Sequence, residues 1–279
     1  MNNLIKYIED NNARFIEELV EFLKIPSISN NIDNKSDIEN CAKWLKNHIK
    51  SIGFEKVDIY NTPGHPIVYS EYLKAGKDKP TVLIYGHYDV QPVDPLDLWT
   101  NPPFEPTIKD GKIYARGTTD DKGQLFIHLK SLETYFKNEN ALPVNVKILF
   151  EGEEEIGSPN LVKFLKDNKE LLKCNLVVIS DTSMYAKGLP SICYGLRGLA
   201  YMQIDVTGPN RDLHSGSYGG AVDNPINALS EIIAKLKDEK GKILVDGFYD
   251  DVIPLSNKER EEFKRLPFNE EDFKKELEI

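Results

Sequence analysis

The sequence predicts an α/β fold in which helices flank a mixed, largely parallel sheet, followed by a second, smaller α+β domain. Three short apolar runs, at residues 81–86, 144–150 and 176–179, are rich in strand formers and predict buried strands. Helical patterns lie between these runs. Strands that alternate with helices along a chain are typical of a layered fold with a parallel sheet.

Local signals place the first helices. Apolar residues recur at helical spacing over residues 15–23, and Pro26 ends that helix. Ser36 followed by Glu39 has the pattern of a capping box, which predicts a second helix that begins there and runs to Ile52.

Turn and capping signals organise the middle of the first domain. Asp110–Gly111 lies between two alternating segments and predicts a hairpin. Apolar spacing over residues 125–136 predicts a helix. Ser158–Pro159 has the pattern of an N-cap followed by proline at the first helical position, so we expect another helix to begin there.

The hydrophobic pattern changes near residue 195, where we place a domain boundary between residues 1–194 and 195–279. Residues 199–207 alternate between apolar and polar, which predicts a half-exposed strand unlike the apolar strands before it. Asn224–Pro225 then predicts the start of a helix.

Composition excludes several classes of protein. A chain of 279 residues with 40% hydrophobic residues can bury a core, so disorder is not expected. The net charge of -10 does not attract nucleic acid or anionic membrane surfaces. No apolar run is long enough to span a bilayer, and acids interrupt the N-terminal region where a signal peptide needs an apolar core. Three cysteines without CxxC spacing favour a reducing compartment, so we predict a cytoplasmic location.

The residues that carry chemistry follow predicted strands. His87 and Asp89 follow the first apolar run, the acids of residues 151–155 follow the second, and Asp181 follows the third. In open α/β sheets, ligands bind beyond the carboxyl ends of the strands. Acids gathered there repel one another unless a cation lies among them. Mixed histidine and carboxylate ligands suit zinc or manganese.

Each element taken alone has a simpler interpretation. An isolated His-x-Asp after a strand is more often a surface turn, and the run Glu153–Glu155 is more often a solvated loop. Asp120–Asp121 before a helix can serve as an N-cap and a first-turn acid. Asp181 can cap a turn. These interpretations weaken together because all four elements fall where one site can form.

Four ordered motifs make the pattern specific. The segments at residues 86–124, 151–161, 177–184 and 211–220 resemble, in this order, the motifs of the di-zinc metallopeptidase family that includes carnosine dipeptidases, aminoacylases, acetylornithine deacetylase and glutamate carboxypeptidase. The resemblance runs from residue 15 to the end of the chain. The sequence HYDVQP, the segment Trp99–Phe104 and the tail at residues 254–273 are most similar to the dipeptidase branch.

The resemblance implies hydrolysis of the amide bond of dipeptides by a metal-bridged hydroxide. The implied cofactors are two Zn²⁺ ions, for which Mn²⁺ or Co²⁺ can substitute. His87 and Asp181 resemble ligands of one zinc, and Asp89 resembles the carboxylate that orients the histidine ring. Asp120 resembles the aspartate that bridges both metals, which the family often follows with a cis peptide bond. Glu155 resembles a ligand of the second zinc.

Two further residues and the domain roles also come from the resemblance. Glu154 resembles the general base. His214 resembles a histidine that contacts the substrate and stabilises the oxyanion, and in dimeric members it comes from the partner. Residues 1–194 would then belong to the catalytic domain and residues 195–279 to a lid and dimerisation domain. A small peptide substrate and a homodimer formed through the lid domain follow as expectations.

The sequence departs from the family in one respect. The second zinc of the family needs a histidine from near the far C-terminus, and no histidine of this chain lies in a matching segment. We therefore expect an incomplete lid domain, one complete metal trio, a weak second metal site and little activity from this chain alone. An N-acyl amino acid deacylase of the same family and a non-catalytic truncated paralogue are the alternatives.

Overall fold

Ten α-helices and seven β-strands form over residues 2–279, the part of the chain that the computed structural model describes. Residues up to Tyr194 form one compact unit, and Gly195–Ile279 form a second. None of the described helices combines the length and the apolar character that a bilayer span requires.

A five-stranded mixed sheet is the centre of the first unit. The strands of this unit are β1 (Lys56–Tyr60), β2 (Ile67–Tyr72), β3 (Thr81–His87), β4 (Thr107–Lys109), β5 (Lys112–Tyr114), β6 (Asn145–Glu151) and β7 (Leu176–Ile179). The sheet has the order β1-β2-β6-β3-β7. Strands β6, β3 and β7 are parallel, whereas β1 and β2 are antiparallel to their neighbours. The mixed sheet of the predicted α/β fold is confirmed.

Helices of the first unit cover both faces of this sheet. They are α1 (Asn2–Asp10), α2 (Asn12–Leu23), α3 (Lys35–Ile52), α4 (Lys122–Glu139), α5 (Leu161–Asp167) and α6 (Lys169–Leu172). Side chains of α2, α3 and α4 pack with Ile148 and Phe150 of β6 on one face. On the other face, Leu149 packs with residues of α5 and α6. Because successive side chains of a strand point to opposite faces, β6 contributes to both cores.

The second unit contains four helices among its described residues. They are α7 (Ser215–Tyr218), α8 (Pro225–Ala234), α9 (Asn257–Lys264) and α10 (Glu270–Leu277). The predicted cap of α8 is confirmed, because the side chain of Asn224 accepts a hydrogen bond of 2.8 Å from the amide of Ile226.

The predicted hairpin is also confirmed. Strands β4 and β5 pair antiparallel and are joined by Asp110 and Gly111. Both residues have positive φ, of 52° and 72°, which is the backbone of a type I′ turn. Gly111 adopts this conformation without a steric penalty.

Two predicted helix starts are wrong. Helix α3 begins at Lys35, and its N-cap residue Asn34 lies two residues before the predicted Ser36 cap. Helix α5 begins at Leu161 rather than after Ser158. Ser158 has a φ of 50°, and its hydroxyl donates to Glu151, so it belongs to a turn instead of a helix cap.

The predicted strand at residues 199–207 is also wrong. No strand is assigned there, and Leu199 and Tyr201 are 90% and 91% exposed. A strand exists only where a neighbour accepts and donates its backbone hydrogen bonds. The described part of the second unit pairs no strand with this segment.

An ionic cluster with buried Lys130 and Glu133 and partly exposed Arg14 and Glu18 ties α2 to α4. Glu133 on α4 accepts hydrogen bonds from Arg14 at 2.5 Å and from Lys130 at 2.7 Å. Both cations also bond Glu18 of α2. Burial raises the pKa of Glu133, but the hydrogen bonds from Arg14 and Lys130 outweigh that effect and lower the pKa below its usual value.

We predict that Glu133→Gln lowers the free energy of unfolding at pH 7 by about 1.5–3 kcal/mol, the usual contribution of hydrogen bonds to a charged group. A carboxylate whose pKa is lowered by folding stabilises the protein above its unfolded pKa, and this stability is lost as the pH falls through the folded pKa. The variant should therefore show a weaker loss of stability below pH 5 than the unchanged chain. Urea unfolding across pH 3–7 measures both effects.

Glu139→Gln is the matched control, because Glu139 lies exposed in the last turn of the same helix. An equal loss of stability in both variants would contradict the role of the cluster.

Candidate metal centre

Three parallel strands end at one edge of the sheet and bring the predicted site residues together. His87 is the last residue of β3 and pairs in register with Glu151, the last residue of β6. On the other side of β3, Tyr85 pairs with Ile179, the last residue of β7, so that Asp181 follows at the same edge. The strand order therefore places the imidazole between the two segments that carry the acids.

His87 is the centre of this group. Its Nε2 lies 3.1 Å from Asp120 Oδ1, 3.6 Å from Asp181 Oδ2 and 3.9 Å from Glu154 Oε2. One potential ligand atom from each of His87, Asp120 and Asp181 lies within 4.8 Å of the other two. The same holds for His87, Glu154 and Glu155. The structure thus brings together all four residues predicted as metal ligands.

The buried carboxylate of Asp89 holds two parts of the site at once. Its Oδ1 lies 3.3 Å from His87 Nδ1, and its backbone oxygen lies 3.1 Å from the same nitrogen. Its side chain also accepts hydrogen bonds from the amides of Glu154 and Glu155, at 3.2 and 3.1 Å. Because Nδ1 faces two acceptors, it carries a proton, and Nε2 is left to face the other acids.

Asp121 has a role in the site that the sequence did not predict. It precedes α4 but makes no side-chain cap to the helix. Instead, its Oδ2 accepts a 3.0 Å hydrogen bond from the amide of His87. Burial raises the pKa of Asp121 to about 7 despite that hydrogen bond. The peptide bond between Asp120 and Asp121 is cis, as the resemblance implies.

Three polar contacts around the glutamates were also missed from the sequence. Gln91 donates a 2.7 Å hydrogen bond to the carboxylate of Glu155. Glu151 accepts from Tyr85, and Glu153 accepts from the amide of His65. Glu153 is buried, so the solvated-loop interpretation is wrong for that residue. The Gln91 contact had a sequence signal, since Gln91 lies two residues beyond Asp89 in the first motif.

The electrostatics of the strand ends favour a positive charge. Burial lowers the pKa of His87, but the hydrogen bond to Asp89 and the surrounding acids outweigh burial and raise the pKa to about 10. Burial raises the pKa of Glu154 and Glu155, and repulsion from neighbouring carboxylates raises it further. The His87 imidazole and the four carboxylates around it form a donor set that fits a divalent cation.

A second group with metal-ligand chemistry, Glu18, His48 and Glu133, fits a metal less well. The two carboxylates already bond to Arg14 and Lys130. Burial, together with the nearby charge of Lys130, lowers the pKa of His48 to about 4. The positive charges of Arg14 and Lys130 therefore already neutralise the two carboxylates of this cluster.

His214 lies in the second unit, as the N-cap residue of α7. Its Nδ1 accepts a 3.1 Å hydrogen bond from the amide of Gly216. Through this contact, the His214 side chain caps a local turn. The proposed role of His214 toward a substrate remains a prediction.

Comparisons with known proteins agree with the geometry. The family model described as Peptidase family M20/M25/M40 matches residues 83–266. The Cys-Gly metallodipeptidase DUG1 of Candida albicans is 36% identical over 96% of this chain and 59% of its own length. The Beta-Ala-His dipeptidase of Mus musculus is 31% identical over 98% of this chain and 58% of its own length.

Solved structures of metallopeptidases are also similar to this chain. The M20 family metallo-carboxypeptidase Sso-CP2 from Sulfolobus solfataricus has a TM-score of 0.77 and 40% identity, over 95% of this chain and 59% of that chain. The dipeptidase Dug1p from Saccharomyces cerevisiae has a TM-score of 0.73 and 29% identity, over 98% of this chain and 60% of that chain. The chain thus spans about three fifths of the length of these relatives.

We predict that Asp89→Asn loosens the turn that carries Glu154 and Glu155. An amide side chain offers one acceptor oxygen in place of two, and its NH₂ group then faces a donor, at a cost of about 1–3 kcal/mol. In metal-free samples, the amides of Glu154 and Glu155 should exchange with solvent about tenfold faster or more. Hydrogen exchange read by NMR measures this directly. Asp97→Asn, at an exposed position in a short 3₁₀ turn, is the control, and unchanged exchange in Asp89→Asn would contradict the bracing role.

Proposed function

Because the chain belongs to the peptidase family M20/M25/M40, we propose that it carries the metal centre of a metallo-dipeptidase that hydrolyses the amide bond of a small peptide. The convergence of His87, Asp120 and Asp181 at the strand ends supports this function more than any other observation. Relatives named Cys-Gly metallodipeptidase and Beta-Ala-His dipeptidase support the dipeptide class of substrate.

Two divalent cations are part of the proposal, with zinc as the first choice and manganese or cobalt as alternatives. His87, Asp120 and Asp181 would hold one cation, and Asp120 with Glu155 would hold the other with fewer ligands. When bound, such cations polarise the scissile carbonyl and lower the pKa of water. The second site is the weaker one because this chain supplies fewer ligands to it.

Glu154 is the proposed general base. Its side chain is 39% exposed, so that water can reach the carboxylate, and it lies beside the His87 imidazole. Burial and the neighbouring acids raise the pKa of Glu154, which suits a group that both accepts and returns a proton. In the proposed reaction, Oε2 takes a proton from the attacking water and passes it to the leaving amine. The carboxylate of Asp89 keeps Glu154 in place by accepting a hydrogen bond from the backbone amide of Glu154.

The wider assignments belong to the same proposal. Residues 1–194 form part of the catalytic domain, and residues 195–279 form part of a lid and dimerisation domain. In a homodimer, His214 would contact the substrate and stabilise the oxyanion. A cytoplasmic location and a small peptide substrate, without nucleic acid or membrane as partners, complete the assignment.

A peptide carboxypeptidase is the second candidate. The structure of the metallo-carboxypeptidase Sso-CP2 is 40% identical to this chain, which is more than the 29% of the dipeptidase Dug1p. The two activities differ in the length of the substrate that is accepted. Longer peptides should therefore be included in every assay.

We predict that a chimera of this chain with the part of the Candida albicans relative that it does not match, loaded with Zn²⁺ or Mn²⁺, hydrolyses Cys-Gly and β-Ala-His. It should cleave longer peptides and N-acetyl amino acids at least about tenfold more slowly, because the relatives from Candida albicans and Mus musculus described above are named as dipeptidases. Glu154→Gln should lower kcat by about 10²–10⁴, the usual contribution of a general base. Chromatography of the released amino acids measures the rates.

Glu139→Gln in the same chimera is the control for the substitution. Cleavage of N-acetyl amino acids alone would contradict the dipeptidase assignment, and faster cleavage of longer peptides would favour the carboxypeptidase. Full activity of Glu154→Gln would contradict the role of that residue.

A further inference from the structure

Two side chains on one face of α4 reach the two segments that carry Asp120 and Asp181. Gln124 and His128 are four residues apart, so they lie one above the other on the helix surface. The Nε2 of Gln124 donates a 2.5 Å hydrogen bond to the backbone oxygen of Thr119, directly before Asp120. Its Oε1 accepts a 3.3 Å hydrogen bond from the amide of Thr182, directly after Asp181. One amide side chain therefore links both segments.

His128 adds a contact on the other side of Asp181. Its Nε2 lies 2.7 Å from the hydroxyl oxygen of Ser180. Contacts at residues 180 and 182 thus bracket Asp181, and both originate from α4. Helix α4 is itself fixed at its first turn, because the buried Lys122 donates to the backbone oxygens of Phe22 and Ile25.

These segments need such contacts more than the rest of the site does. Asp89 and Asp121 hold the glutamate turn and the end of β3 from inside the protein. The side chains of Asp120 and Asp181, in contrast, are 60% and 31% exposed. Asp181 follows β7, the last strand in the sheet order, which pairs with β3 on one side. Few contacts therefore determine where this carboxylate lies.

Electrostatic repulsion acts on the same two segments. Two carboxylates that face one imidazole repel each other when no cation lies between them. Zinc needs its oxygen ligands at about 2.0–2.2 Å, so a small separation of the segments removes a ligand. A link that resists this separation preserves the site before a cation arrives.

We propose that Gln124 and His128 are positioning residues that hold Asp120 and Asp181 at the separation needed for cation binding. This inference rests on the proposed metal centre and adds residues to it that contact no cation themselves. Neighbours of metal ligands that act in this way typically change metal affinity by about 10- to 100-fold.

Cobalt binding to the 279-residue chain tests the inference, because Co²⁺ reports both affinity and ligand geometry through its visible absorption. Gln124→Met removes both hydrogen bonds of that side chain, and His128→Phe removes the contact to Ser180. Each should weaken cobalt binding about tenfold or more and shift the visible bands. His128→Gln places an amide nitrogen close to the position of Nε2, so it should bind within about twofold of the unchanged chain.

Gln203→Met is the matched control, since it makes the same substitution at an exposed position of the second unit. Unchanged affinity and spectra in Gln124→Met and His128→Phe would overturn the inference. So would an equal loss in His128→Gln, which would assign the effect to packing, or an equal loss in Gln203→Met. If the unchanged chain binds no cobalt at all, the metal centre of the proposed function fails, and the positioning role fails with it.

Discussion

The buried carboxylate of Asp89 is the interaction on which the rest of the site depends. It contacts the ring of His87, at the end of β3, and the amides of Glu154 and Glu155, beyond the end of β6. A buried charge is tolerated only where such hydrogen bonds compensate for lost hydration. The same contacts that stabilise this charge therefore fix the imidazole and the glutamate turn relative to each other. The parallel register of β3 and β6 then determines which residues can share the carboxylate.

Acidic residues gather at two places in the first unit, and the contrast between them defines the site. Around Glu133, the side chains of Arg14 and Lys130 neutralise the acids, and the result is a structural ionic cluster. At the strand ends, no ion pair found among residues 2–279 joins a lysine or arginine to Asp120, Glu154 or Asp181. The positive charge that the protein itself supplies to these acids is a proton on the His87 imidazole. A divalent cation can replace it, because Nε2 already faces the carboxylates.

Local patterns predicted much of this architecture. The apolar runs that became β3, β6 and β7, the turn at Asp110–Gly111 and the cap at Asn224 depend on neighbouring residues, and all of them formed as expected. The sequence around Ser158 has the pattern of a helix cap, whereas the contact of Ser158 with Glu151, which places it in a turn, is made only in the folded chain. The roles of Asp121 and Gln124 were missed for the same reason. The segment at residues 199–207 has the alternation of a strand but no pairing neighbour, and periodicity alone cannot supply one.

The zinc-bound crystal structure of the chain, with anomalous scattering recorded at the zinc edge, tests the central claim most directly. We expect one strong anomalous peak about 2.0–2.2 Å from His87 Nε2 and from carboxylate oxygens of Asp120 and Asp181. A second, weaker peak beside Glu155 is compatible with the same account. A strong peak at Glu18, His48 and Glu133, with none at the strand ends, would contradict it.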